Sequence, residues 1–146
     1  TLAENNESNM FCTAFIGVLD LKTGKMKYCN AGHNAPVIIA STGEVKFMEV
    51  TPNLPLGLFG GFPYTGQEYD ITQGASLFLY TDGVTEAENK ENALYSDERL
   101  LELLAKQRNN MPCTIVDAVL NDVNKHADGA EQSDDITIMC IINKKP

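Results

Sequence analysis

Among the twenty acidic residues of this 146-residue chain, two positions stand apart, because each adjoins an apolar run of the kind that forms a buried strand. Asp82-Gly83 directly follows the run at 75–81, Ala-Ser-Leu-Phe-Leu-Tyr-Thr, and Asp134-Asp135 directly precedes the run at 136–142. If these strands are antiparallel neighbours, the end of one lies beside the start of the other, and the carboxylates meet at one edge of a sheet. Carboxylates held that close repel unless a cation or a shared proton compensates. A divalent metal is the simplest remedy. Oxygen donors suit Mg²⁺ or Mn²⁺, and Gly83 would allow the backbone to approach the site closely. The competing reading is plainer: Asp82-Gly83 as a tight turn and Ser133-Asp134 as an ordinary strand entry.

Other chemistries find little support. There is no Gly-x-Ser-x-Gly elbow, no Gly-x-x-x-x-Gly-Lys phosphate loop and no Gly-x-Gly-x-x-Gly fingerprint. Gly57-Leu58-Phe59-Gly60-Gly61 is glycine-rich without a lysine and reads as a loop. His33 lies in a turn-prone segment, and His126 lies near a helix end, where a cation suits the dipole. Cys12, Cys29, Cys113 and Cys140 form no Cys-x-x-Cys pair and read as buried free thiols in a reducing compartment, although an even number leaves disulfides formally open.

Several elements must position the two acidic positions. Residues 11–20 and 26–30 read as a hairpin turning at Lys22-Thr23-Gly24-Lys25, and residues 36–40 and 44–50 as two more strands of an antiparallel meander. Residues 51–66 hold three prolines and read as a long loop carrying some buried side chains, followed by a short strand at 66–71. Ser96 caps a helix in which Leu100, Leu103 and Leu104 recur at helical spacing, ending near Asn109. Pro112 opens a second helix, whose Ile115, Val119 and Val123 stripe marks core, and Asp128-Gly129 stops it. The run at 136–142 has the pattern of a central strand. The fold class is α+β, mostly antiparallel, with helices against the sheets.

Eleven basic residues against twenty acidic give a net charge of −9, which opposes nucleic acid binding. No run approaches the ~20 apolar residues of a membrane span. The opening Thr1-Leu2-Ala3-Glu4-Asn5-Asn6 lacks an initiator Met and a signal peptide, reads as a cut edge, and with the thiols places the chain in the cytoplasm.

Taken in order, five strings carry a resemblance. Met10-Phe11-Cys12-Thr13-Ala14-Phe15, Asn30-Ala31-Gly32-His33-Asn34, Pro55-Leu56-Gly57, Leu79-Tyr80-Thr81-Asp82-Gly83-Val84-Thr85-Glu86-Ala87 and Gln132-Ser133-Asp134-Asp135-Ile136-Thr137 resemble the sporulation and stress-response branch of the metal-dependent PPM (protein phosphatase type 2C) family. The fourth and fifth are the specific ones. The resemblance implies a β-sandwich flanked by helices and a two-metal Mn²⁺ or Mg²⁺ centre, with a metal-bound water attacking phosphoserine or phosphothreonine and no side-chain nucleophile. Carried over motif by motif, Asp82 and Asp134 are metal ligands. Gly83 belongs to the same site, and Asp135 is a weaker candidate because the family often has a non-ligand there.

The family also draws aspartates from an early Gly-Asp and an Asp-x-Ser-Gly-His-Gly type string, and neither is in this chain. Residues 1–146 are therefore expected to be the C-terminal portion of a single catalytic domain, binding metal weakly, turning over little by itself, and self-associating through exposed sheet edges. The resemblance implies a phosphoprotein partner such as an anti-sigma-factor antagonist, in a branch whose members are often fused to sensor domains, with a membrane-anchored parent left open. The alternatives are a degenerate, non-catalytic phosphatase-like module that binds a phosphoprotein, and an unrelated β-rich adaptor, which requires Asp82 and Asp134 to lie far apart.

Overall fold

In a computed structural model of the chain, Ala3, Glu4, Asn6 and residues 10–144 are described. They form seven strands and two helices in the order β1 (Ala14–Leu19), β2 (Lys25–Ala31), β3 (Val37–Ile39), β4 (Val45–Phe47), β5 (Gln67–Asp70), β6 (Ser76–Tyr80), α1 (Asp97–Gln107), α2 (Pro112–Ala127) and β7 (Ile138–Ile142). The chain divides into two compact units, one built from residues 1–35 and 49–71 and the other from residues 36–48 and 72–146.

The first unit holds an antiparallel sheet of order β1-β2-β5. β2 alternates: Met26, Tyr28 and Asn30 are buried, while Lys25 and Lys27 are exposed, which is the period-2 signature of a half-buried strand. Phe15 stacks on Tyr28 at a 5.5 Å ring separation, and the Tyr28 hydroxyl donates to the Glu49 carbonyl at 2.6 Å. Three of the five strings meet in this unit. Cys12 and Leu56 exchange backbone hydrogen bonds of 2.9 and 2.8 Å. Asn30 closes its own turn, donating to the His33 carbonyl and accepting from the His33 amide. Gly32 sits at φ +72° with Pro55 against it, so a β-carbon there would fall 2.8 Å from Pro55 Cγ.

The second unit holds an antiparallel sheet of order β4-β3-β6-β7 with both helices. β3 is fully buried and β6 nearly so, as their unbroken apolar sequences require. The core joins Phe78 and Tyr80 of β6, Leu100 and Leu104 of α1, and the Ile115, Val119 and Val123 stripe of α2. Ser96 caps α1, its hydroxyl accepting from the Arg99 amide at 3.5 Å, and Pro112 occupies the first turn of α2. α2 ends where Asp128 turns left-handed, at φ 47°.

Three expectations need correction. Strands 1 to 4 are not one meander: the chain leaves the first sheet at Ala31 and starts the second at Val37, because β2 pairs with β5 and β3 with β6. Among the described residues β7 is not central but an edge strand bonded to β6 alone, with Met139 half exposed. The cysteines are all free, yet Cys12 and Cys113 are exposed. Cys140 is largely enclosed, and burial pushes its thiol up to about 11.

A polar cluster that periodicity does not reveal joins α1 to α2. Arg99 donates through Nε and Nη2 to the two oxygens of Asp122, at 2.9 and 3.1 Å, while the buried Tyr95 hydroxyl donates to Asp122 at 2.9 Å. Arg99 Nη1 lies 3.0 Å from His126 Nδ1, and His126 Nε2 lies 2.8 Å from the Ala93 carbonyl. A guanidinium only donates and a carbonyl only accepts, so the imidazole accepts at Nδ1 and donates from Nε2. The Arg99 hydrogen bond, opposed by desolvation and helped by Tyr95, holds the Asp122 carboxyl below the usual carboxylate range. The stability it contributes is therefore present above about pH 4 and is lost as pH falls through the lowered native value. Asp122→Ala, which strands the Tyr95 hydroxyl and leaves Arg99 without its carboxylate, is expected to lower urea stability by about 2 kcal/mol at pH 7 and by progressively less as pH falls below about 4.

Candidate metal centre

The β6/β7 register builds the site. Tyr80 pairs with Ile138, so the segment leaving β6 and the segment entering β7 run side by side beyond the last ladder pair. The ladder is prolonged there by Thr81, whose amide donates to the Thr137 carbonyl at 3.0 Å. The Thr81 hydroxyl fastens the two segments further, donating to the Asp135 carbonyl at 2.7 Å and accepting from the Thr137 amide at 2.9 Å.

Past Thr81 the chain turns tightly, with Val84 N bonded to the Thr81 carbonyl and Glu86 N to the Asp82 carbonyl. Val84 and Thr85 are driven inward and Asp82 is left at the surface. Gly83 lies in the narrowest part. A β-carbon at Gly83 would fall 2.6 Å from the Asp135 carbonyl oxygen and 2.9 Å from that of Asp134. On the opposing segment Gln132 donates to the Asp134 carbonyl at 2.7 Å, and the Ser133 hydroxyl reaches the Glu86 carbonyl at 3.4 Å.

The residues singled out in the sequence are thus neighbours. Asp82, Asp134 and Asp135 are exposed and Gly83 is buried. The unrelated-adaptor reading, which needed Asp82 and Asp134 far apart, is overturned by the contact of Gly83 with the Asp134 and Asp135 backbone. Each carboxylate that bonds locally does so to the next amide, Asp82 Oδ1 accepting from Gly83 N at 3.0 Å and Asp134 Oδ1 from Asp135 N at 2.6 Å.

In chemical type these donors suit a hard divalent cation: exposed carboxylates and backbone carbonyls, with no thiolate or imidazole among them. In number they fall short. Among the described residues no group of three or more His, Cys, Asp or Glu is placed to hold a metal.

Thr81 is the participant that the sequence reading passed over, and its signal was a hydroxyl at the end of a buried strand immediately before Asp-Gly. Thr81→Val keeps the shape and removes both hydrogen bonds. It is expected to cost about 1–2 kcal/mol in urea unfolding and to speed hydrogen exchange at the Thr137 amide.

Comparisons with known proteins identify the family and the fold. Residues 1–143 match the family described as Stage II sporulation protein E (SpoIIE). The chain is 32% identical over 138 residues to Protein IcfG of Synechocystis sp., covering 94% of this chain and 22% of that protein. It is 29% identical over 80 residues to Phosphoserine phosphatase RsbP of Bacillus subtilis, covering 55% of this chain and 20% of that one. The chain therefore spans about a fifth of the length of these curated relatives.

Among solved structures, the SiaA-PP2C domain of Pseudomonas aeruginosa superposes with a TM-score of 0.76 at 17% identity, covering 89% of this chain and 51% of that one. The Mn-presoaked phosphatase domain of SpoIIE from Bacillus subtilis gives 0.71 at 16% identity, covering 92% and 57%. These likenesses establish the α+β fold of PP2C-type phosphatase domains. With the family match running from residue 1 to residue 143, the chain belongs to the SpoIIE family, the sporulation and stress-response branch of the metal-dependent PPM phosphatases.

Proposed function

We propose that residues 1–146 are the C-terminal portion of a metal-dependent phosphatase domain acting on phosphoserine or phosphothreonine in a protein partner. The observation that carries this reading is the packing of Asp82-Gly83 against Asp134-Asp135 at the β6/β7 edge, in a chain of the SpoIIE family. In this role Asp82 and Asp134 hold a Mn²⁺ or Mg²⁺ ion, Asp135 contributes from the adjoining position, and Gly83 keeps the two segments close. When bound, a divalent pair would neutralise phosphoryl charge and lower the pKa of a coordinated water towards ~7. The chain's own part is to aim the carboxylates: Thr81 and Gln132 pin the Asp134-Asp135 backbone, and the Asp82 turn is fixed by its bond to Glu86 N.

Support for a divalent metal comes from the oxygen donors here and from likeness to a Mn-presoaked SpoIIE domain and to RsbX in complex with magnesium. The similarity to Phosphoserine phosphatase RsbP supports a phosphoserine substrate. A protein of the anti-sigma-factor antagonist kind is the partner class we favour, in a cytoplasmic setting that suits four free thiols. No helix among the described residues is long and apolar enough to cross a membrane. The edge strands β1 and β7 carry no charged residue, which favours self-association of the isolated chain.

The second reading, a non-catalytic phosphoprotein-binding module, is favoured by the incomplete donor set. Mn²⁺-dependent hydrolysis of a phosphoserine peptide separates the two. A polypeptide extended upstream to a whole domain is expected to turn over, and this chain by itself to show at least about a hundredfold less activity. Metal-independent binding of the phosphopeptide with no turnover by either polypeptide would establish the binding module instead.

A further inference from the structure

Beside the Asp134-Asp135 segment, in the same unit, lies a recess of about 160 Å³ between the end of α2, the segment after the Asp82 turn and the 129–136 loop. Its floor is apolar, made by Ala87, Val123, Ala127 and Ile136, of which Ala87 and Val123 are buried. Its lip carries Glu88 and Glu131, both exposed and neither paired with a cation among the described residues. The hydroxyl of Ser133, which also lines the recess, is directed to the Glu86 carbonyl, so the recess and the proposed metal centre share one loop.

Three features select an occupant. The volume is well below the ~300 Å³ at which small-molecule and cofactor sites begin, which points to a single side chain rather than a nucleotide or coenzyme. The electrostatics favour a cation: two carboxylates stand at the lip, and Lys90, the lysine beside Gly129, is already paired with Asp128 at 3.1 Å. The apolar floor beneath an acidic lip suits a long aliphatic stem with a charged head, a combination found only in lysine and arginine.

We propose that this recess receives a lysine or arginine side chain of the phosphoprotein partner, and so sets a basic-residue preference near the phosphorylated position. This rests on the phosphatase reading above. It is tested by steady-state hydrolysis, by the complete domain, of phosphoserine peptides that place lysine or its uncharged analogue norleucine at each of about four positions on either side of the phosphoserine. In at least one register, lysine is expected to lower KM roughly fivefold relative to norleucine with kcat unchanged. That advantage should vanish in the Glu88→Gln/Glu131→Gln double variant, whose urea midpoint reports that the fold is intact. Equal KM values in every register, or a lysine advantage that survives the double variant, would overturn the proposal.

If no peptide is turned over, the phosphatase reading fails and the recess is read by binding. Amide shifts of Ala87, Glu88 and Val123 in this chain, titrated with the lysine peptides and not with the norleucine ones, would uphold it. Their absence would overturn it. A lysine of a second copy as occupant would appear as concentration-dependent dimerisation abolished by the double variant, and it too would overturn the partner assignment.

Discussion

Asp82→Asn in the complete domain is expected to lower Mn²⁺-dependent phosphoserine hydrolysis by at least about a hundredfold while leaving the unfolding free energy in urea within about 0.5 kcal/mol of the parent. The two halves of that expectation have different causes. Asp82 is exposed, and its side chain bonds only to the amide of Gly83 among the described residues, so an amide oxygen can replace the carboxylate oxygen there with little loss of stability. The turn itself is held by backbone bonds, from Glu86 N to the Asp82 carbonyl and from Val84 N to the Thr81 carbonyl, which the substitution leaves untouched. What asparagine cannot replace is the negative charge that a divalent cation needs. A measurable rise in the Mn²⁺ concentration for half-activity should accompany the loss. Full activity in this variant would remove Asp82 from the metal site; a large fall in stability would show a structural role instead.

Gly83→Ala is expected to destabilise this chain by about 3 kcal/mol, measured by urea unfolding, although it adds one methyl group. The reason is the nature of the atoms it meets. The new carbon would fall 2.6 Å from the Asp135 carbonyl oxygen, 2.9 Å from that of Asp134 and 3.0 Å from the Asp135 carbonyl carbon, all of them backbone. A flexible side chain could swing aside, but the Asp135 carbonyl is held by the Thr81 hydroxyl and the Asp134 carbonyl by Gln132. Relief requires moving the whole 132–135 loop, so in the complete domain the loss of metal affinity should exceed what the fall in stability explains. A variant within about 0.5 kcal/mol of the parent would show that the loop is not packed on Gly83.

The elements themselves were legible because their local signals agree. The apolar run of β6, the three-residue stripe of α2 at four-residue spacing, Ser96 before α1 and Pro112 at the start of α2 each name one structure, and each is found. The juxtaposition of the Asp82 and Asp134 segments was legible for a related reason. Two strongly apolar strands, each abutting acidic residues at opposite ends, have one antiparallel pairing that brings those ends together, and β6 and β7 adopt it.

What local signals cannot carry is the choice of partner. Short strands such as β3 and β4 say that they must pair, not with which neighbour, so a four-strand meander fits their sequence as well as the observed division into two sheets. The edge position of β7 is hidden for the same reason: an apolar run reports burial of faces, while centrality depends on whether a further strand bonds to its outer edge. The Arg99–Asp122–Tyr95–His126 cluster and the Thr81 clasp were hidden because their members are ordinary polar residues joined by hydrogen bonds that span up to 27 and 56 positions. By itself the sequence determined which residues carry oxygen donors and which strand ends they occupy. Only the tertiary structure decided that the Asp134-Asp135 backbone closes onto Gly83, because that contact depends on side-chain clasps between segments remote in the chain.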